Sequence, residues 1–155
     1  MRLACDPHTH TLFSRHAYST LEENIRAASV KGLELLGTTE HYSAMLYPED
    51  DLRNFQYYEN FHVWPREVGG VYLCHGAEAD IVDLDGNLFG YDICFDHHFS
   101  GRRFKEPRLL KDIVSKECDY IIASVHDRTF ARGATRAQMT QAYLGALDDQ
   151  KVFIL

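Results

Sequence analysis

Four short apolar runs in this chain each end in residues that can hold a metal ion. Leu3-Ala4-Cys5 leads through Asp6-Pro7 to His8-Thr9-His10, and the run from Leu33 to Thr39 leads into Glu40-His41. Val71 to Cys74 passes through His75-Gly76-Ala77 to Glu78, and Tyr120 to Val125 ends at His126. Two apart on an extended segment, His8 and His10 point to the same face, about 7 Å apart at Cα. Both can therefore reach one ion at about 2.0–2.1 Å. His16 lies in the loop after that segment, where its nitrogen can reach a neighbouring ion. A strand-end carboxylate such as Glu78 can bridge two cations and reduce their repulsion. The chemistry open to such a set is metal-assisted hydrolysis.

The other histidines carry weaker signals. His97-His98 is an adjacent pair whose side chains diverge in a strand, so it reads as surface. His75 is three residues from Glu78 and falls on the opposite face of an extended strand. His62 belongs to an aromatic segment and reads as packing. No GxxxxGK phosphate loop and no GxSxG elbow is present, which sets aside nucleoside-triphosphate chemistry and covalent serine hydrolysis.

Short β-rich apolar runs separated by helical stretches read as parallel strands in βα units. Functional side chains in such sheets gather at the carboxyl ends of the strands. The expected first helix starts at a Ser19/Glu22 capping box, carries Leu21, Ile25 and Ala28 on one face and stops at Gly32. The next strand is expected over 33–39. Pro48 and Pro65 break residues 44–70, whose aromatics Phe55, Tyr57, Tyr58, Phe61 and Trp64 suggest a helix over the mouth of a barrel. A strand over 71–79 precedes a turn at Asp85-Gly86. Residues 92–107 read as a surface insertion, and Pro107 as the opening of a short helix with Leu109, Leu110, Ile113 and Val114. Thr135 and Gln138 form a second capping box, before a helix turning Met139, Ala142, Tyr143 and Leu147 inward. Val152 to Leu155 reads as a fifth strand.

The chain has 155 residues and a formal charge of −7. That acidity argues against non-specific nucleic-acid binding. No apolar run approaches the roughly 18 residues of a membrane span, and no signal-peptide segment precedes Asp6. Cys5, Cys74, Cys94 and Cys118 lack CxxC spacing, which suggests buried reduced thiols and a cytoplasmic setting.

Asp-Pro-His-Thr-His-Thr at 6–11, Ser-Arg-His-Ala-Tyr-Ser-Thr at 14–20, Thr-Glu-His at 39–41, Gly-Ala-Glu-Ala at 76–79 and Ala-Ser-Val-His at 123–126 resemble the PHP (polymerase and histidinol phosphatase) domain. Within it they are most similar to small stand-alone phosphoesterases, and Trp64-Pro65-Arg66 fits that group too. The resemblance covers essentially the whole chain as one domain, 1–155. It implies a distorted (β/α)7 TIM-like barrel, here incomplete with about five βα steps, binding up to three divalent ions: zinc first, manganese or iron otherwise. It also implies that His8, His10 and Glu78 hold one ion, Glu78 and His126 a second, and His16 and His41 a third. Each ion in the family takes a further ligand from later strands, and this sequence ends at Leu155. Glu40 stands where the family usually has Asp.

The activity so implied is hydrolysis of a small phosphomonoester, with two cations activating water and Arg15, Arg128 and Arg132 as candidates to orient the phosphate. Two other readings stay open: a weakly active or inert metal-binding fragment with an interaction role, and an amidohydrolase-type metal hydrolase. The apolar strand at 151–155, with no helix after it, raises the expectation of self-association through the open sheet edge, or of a chain that continues.

Overall fold

The computed structural model describes residues 3–46 and 51–155. In chain order its elements are β1 (Cys5–Thr9), α1 (Leu21–Lys31), β2 (Leu35–Tyr42), α2 (Gln56–Glu59), β3 (Glu67–Val68), β4 (Val71–Asp80), β5 (Cys94–His97), β6 (Arg103–Leu109), α3 (Leu110–Glu117), β7 (Tyr120–Ser124), α4 (Arg136–Ala146) and β8 (Val152–Ile154). The main sheet runs β1-β2-β4-β7-β8, every neighbouring pair parallel, with the short β3 antiparallel on β4. A separate hairpin pairs β5 with β6. This is an α/β fold with a mostly parallel sheet.

Register sorts the side chains into two faces. Gly37, Thr39 and His41 of β2 stand opposite Cys74, Gly76 and Glu78 of β4. Gly76, Glu78 and Asp80 in turn stand opposite Tyr120, Ile122 and Ser124 of β7. With a period of two, these residues share one face, the site face. Leu36, Tyr42, Leu73, Ala77, Ala79, Ile121 and Ala123 point the other way and are buried. There α1 packs Ile25 and Ala28 against Leu36, Val71 and Leu73. Leu110, Ile113 and Val114 of α3 join Tyr42, Phe55, Tyr58, Phe61 and Phe89 in the main core. Each such side chain, fully buried, contributes roughly 1.5–3 kcal/mol.

Several local expectations shift. Thr20, not Ser19, caps α1: its hydroxyl accepts from Glu23 N–H, and the Glu23 carboxylate accepts from Thr20 N–H at 2.8 Å. The Ser19 carbonyl is taken by Leu12 N–H at 2.9 Å, which keeps Ser19 in the loop. β2 runs on to Tyr42 because its ladder with β4 stays in register through Tyr42 and Ala79. In place of one helix over the mouth, residues 52–63 form α2 between two 3-10 turns, Leu52–Phe55 and Asn60–Val63. They bury Phe55, Tyr58 and Phe61 in the helix-face core, while His62 is exposed. Pro48 lies outside the described residues.

The expected insertion at 92–107 is the β5–β6 hairpin, anchored by buried Phe95. Pro107 belongs to β6, where a hairpin edge tolerates the missing N–H, and α3 starts at Leu110. The turn at Asp85-Gly86 is present; Gly86 has φ +88°, and a Cβ there would strike the backbone of α4. The Thr135–Gln138 capping box holds. Ala142 and Ala146 are the buried residues of α4, whereas Leu147 is exposed. All four cysteines are free thiols, but only Cys118 is buried, and Cys5 and Cys94 are exposed. Along β8, Val152 is buried and Phe153 is 70% exposed.

Candidate metal centre

His8, His10, His16, His41, Glu78 and His126 converge at the carboxyl ends of β1, β2, β4 and β7. Glu78 is the hub. Its Oε2 lies 3.4 Å from His8 Nε2, 3.3 Å from His10 Nε2 and 2.9 Å from His41 Nδ1. Its Oε1 lies 3.3 Å from His126 Nε2. His8 Nε2 and His10 Nε2 are 3.1 Å apart, and His16 Nε2 and His41 Nε2 are 2.5 Å apart. Three groupings could each hold an ion: His8, His10 and Glu78; His41, Glu78 and His126; and His10, His16 and His41. His41 thus touches both Glu78 and His16, a wider role than a place beside His16 alone.

Local structure explains the convergence. The loop after β1 turns back through a 3-10 turn, Leu12–Ser14, capped by Thr11 and closed by Arg15 in the left-handed region at φ 63°. That reversal carries exposed His16 over to His41. Glu40 anchors the loop from the opposite face of β2. Fully buried, it accepts from Thr11 N–H at 3.0 Å, from Thr11 Oγ1 at 2.6 Å, from Ser14 Oγ at 2.5 Å and from Tyr57 at 3.2 Å. Because the Ser14 proton goes to Glu40, Ser14 Oγ is left to accept from His10 Nδ1–H at 2.9 Å and from His41 N–H at 3.1 Å. The His10 Nε2 lone pair therefore faces Glu78 and His8.

The donor set fits a divalent cation on its own chemistry. His41 Nδ1 and Glu78 Oε2 are both buried, and neither makes a well-directed hydrogen bond to the protein, although they are only 2.9 Å apart. Burying polar atoms without partners costs about 1–3 kcal/mol each, and a cation among imidazole nitrogens and a carboxylate would satisfy them. Burial alone would raise the Glu78 carboxyl. The neighbouring imidazoles of His10, His41 and His126 outweigh it and hold the group well below the usual carboxylate range.

The weaker histidines lie elsewhere. His75 is fully buried on the helix face, stacked on Phe61 at 5.1 Å, and His97 is exposed. His98 pairs with Glu59 at 3.2 Å. Arg15, Arg128 and Arg132 are exposed; the latter two line an open cavity of about 400 Å³ in the loop after His126. A larger cavity of about 560 Å³ on the β5–β6 hairpin, lined by Arg102, Arg103, Lys105 and Arg108, includes none of the six cluster residues. Asp80 and Ser43 had no place in the sequence reading, yet Asp80 meets His126. The signal was there: Asp80 is two residues past Glu78, so it shares the site face.

The PHP domain description matches residues 6–152 of this chain. The chain belongs to the PHP domain family. A probable phosphatase of Clostridium botulinum is 39% identical over all 155 residues, which make up 54% of that protein. One from Clostridium novyi is 37% identical over the whole chain and 53% of its own length. Another from Aeromonas hydrophila is 33% identical over 152 residues, 98% of this PHP chain and 52% of the relative. The chain spans about half the length of the curated relatives it matches. Among the described residues, no helix is long and apolar enough to cross a membrane.

Proposed function

We propose that this PHP chain belongs to a metal-dependent phosphoesterase acting on small phosphomonoesters, and that His8, His10, His16, His41, Glu78 and His126 hold its divalent ions. The observation that carries this reading is Glu78, with one oxygen toward His8, His10 and His41 and the other toward His126. A carboxylate so placed would be a ligand for divalent ions held by these imidazoles. Bound zinc, manganese or iron would polarise a phosphoryl oxygen and lower the pKa of water toward neutrality. The chain's part is to position. Glu40 and Ser14 fix His10, Glu78 supplies negative charge between the sites, and Arg15, Arg128 and Arg132 are the guanidinium candidates for steering phosphate to the mouth. The parallel order β1-β2-β4-β7-β8 supports the first part of a (β/α)7 barrel within a single domain over 1–155. The four free thiols support a cytoplasmic setting. The names of the relatives support phosphatase chemistry, and the activity of the whole protein is part of the proposal.

The test is hydrolysis of p-nitrophenyl phosphate before chelation, after it and after readdition of Zn²⁺ or Mn²⁺. Activity should disappear and return, and His41→Ala should cost far more than His62→Ala. Undiminished hydrolysis by metal-free protein would rule the mechanism out.

A further inference from the structure

Asp80 has a buried carboxylate, 4% exposed, that no part of the proposed chemistry uses. Its Oδ1 lies 2.5 Å from His126 Nδ1, and its Oδ2 accepts from Ser43 Oγ–H at 2.5 Å. Ser43 is itself fully buried and accepts from Met45 N–H at 3.1 Å, so its own proton is free for Asp80. Ser124 Oγ, at 3.2 Å, is the other neighbour of His126 Nδ1. A carboxylate oxygen and a ring nitrogen cannot approach to 2.5 Å with lone pairs facing each other, so a proton lies between them. With the proton on Nδ1 toward Asp80, Nε2 keeps the lone pair and lies 3.3 Å from Glu78 Oε1.

We infer that Asp80, held by Ser43, is a positioning residue that fixes the ring plane and the Nδ1–H form of His126. The inference rests on the proposed metal reading only for its consequence. A ring so fixed presents Nε2 to an ion shared with Glu78 and His41, as carboxylate–histidine–metal arrangements do. Asp80 and Glu78 are two residues apart on one strand, so the backbone that places the hub also places the group orienting its neighbour.

The experiment uses this chain with ¹⁵N-labelled histidine, metal-free and then titrated with Zn²⁺. Long-range ¹H–¹⁵N spectra read the tautomer of His126, assigned from its absence in His126→Gln. Wild-type His126 should carry its proton on Nδ1, with Nε2 as the nitrogen that shifts on zinc binding. Asp80→Ala should lose the Nδ1–H preference and weaken zinc binding roughly 10–100-fold, the usual cost of removing such a partner. Asp80→Asn, whose side-chain oxygen can still accept from Nδ1–H, should restore the tautomer and most of the affinity. An Nε2–H ring in the wild type would overturn the inference, as would an Asp80→Ala variant with tautomer and affinity unchanged. If Asp80→Ala fails to fold, the wild-type and Asp80→Asn spectra still decide. A wild type with Nδ1–H on His126 that binds no zinc would defeat the metal reading while leaving the positioning role intact.

Discussion

The Tyr120 ring crosses Gly76 and Gly37, and its hydroxyl donates to the Pro7 carbonyl, so one side chain of β7 reaches β1 across two intervening strands. A Cβ at Gly37 would run into the Tyr120 hydroxyl and stand 2.6 Å from Pro7 O. At Gly76 it would stand 2.8 Å from the Tyr120 backbone O and 3.2 Å from the Tyr120 ring. Two glycines thus clear the space for one aromatic ring, and the ring lies on the site face, one layer below His41 and Glu78. The curvature that brings β1 toward β7 brings His8 and His10 toward His126.

Gly37→Ala should therefore destabilise the fold by about 1–3 kcal/mol, the cost of overpacking a filled site. Tyr120→Phe should cost about 0.5–1.5 kcal/mol for the lost hydrogen bond. Combined, the two should cost less than their sum, because removing the hydroxyl clears the nearest clash. Urea unfolding of the four proteins gives the cycle, and strict additivity would show that the two residues are not coupled.

Metal binding should depend on Glu78 more than on any exposed histidine. Glu78→Gln should weaken zinc binding by more than the roughly 10–100-fold typical of an outer partner, while His97→Ala should leave it unchanged. Calorimetric titration of both variants reads this directly, and equal affinities would sink the site assignment.

His75 gives a pH dependence independent of the Glu78 cluster. Burial pushes its imidazole below the ordinary value, and nearby Arg66 adds to that against the opposing hydrogen bond to Pro65 O and the charge of Asp119. Since the Pro65 carbonyl can only accept, His75 Nε2 carries the proton and Nδ1 accepts from Thr38 Oγ1–H. A lowered folded pKa means that the unfolded chain binds the proton more readily. The stability so gained is full above the unfolded value of about 6.5 and is lost as pH falls below it. His75→Gln, able to keep both hydrogen bonds, should not show that loss. Melting of the two metal-free proteins between pH 8 and 5 should show their difference narrowing or reversing on the acid side (these two pH values being roughly one and a half units either side of 6.5). Parallel curves would refute it.

Thr20→Ala should cost about 1 kcal/mol through loss of the α1 cap, and Ser19→Ala much less. Denaturant midpoints distinguish them, and the reverse order would restore the frame first expected from Ser19 and Glu22.

What was legible in the chain itself is local. The strand-end cluster is readable because a strand places alternate residues on one face, so His8, His10, His41, Glu78 and His126 stand out as candidate ligands, and the structure brings them together. The Thr135–Gln138 cap and the Gly32 stop were readable for the same reason, since the partners are within one turn. Residues 92–107 were not, because the two strands of a polar hairpin support each other and neither shows a strong period of its own. The frame at Ser19 or Thr20 was decided by a carbonyl that Leu12 engages from seven residues away.

Tertiary structure alone decided that His41 faces both Glu78 and His16, that Glu40 meets Ser14 and Asp80 meets His126, and that Gly37 and Gly76 make room for Tyr120. Each of these joins residues from different elements of the fold. The distance between them depends on register and curvature of the whole sheet, and no neighbouring residue in the sequence carries that information.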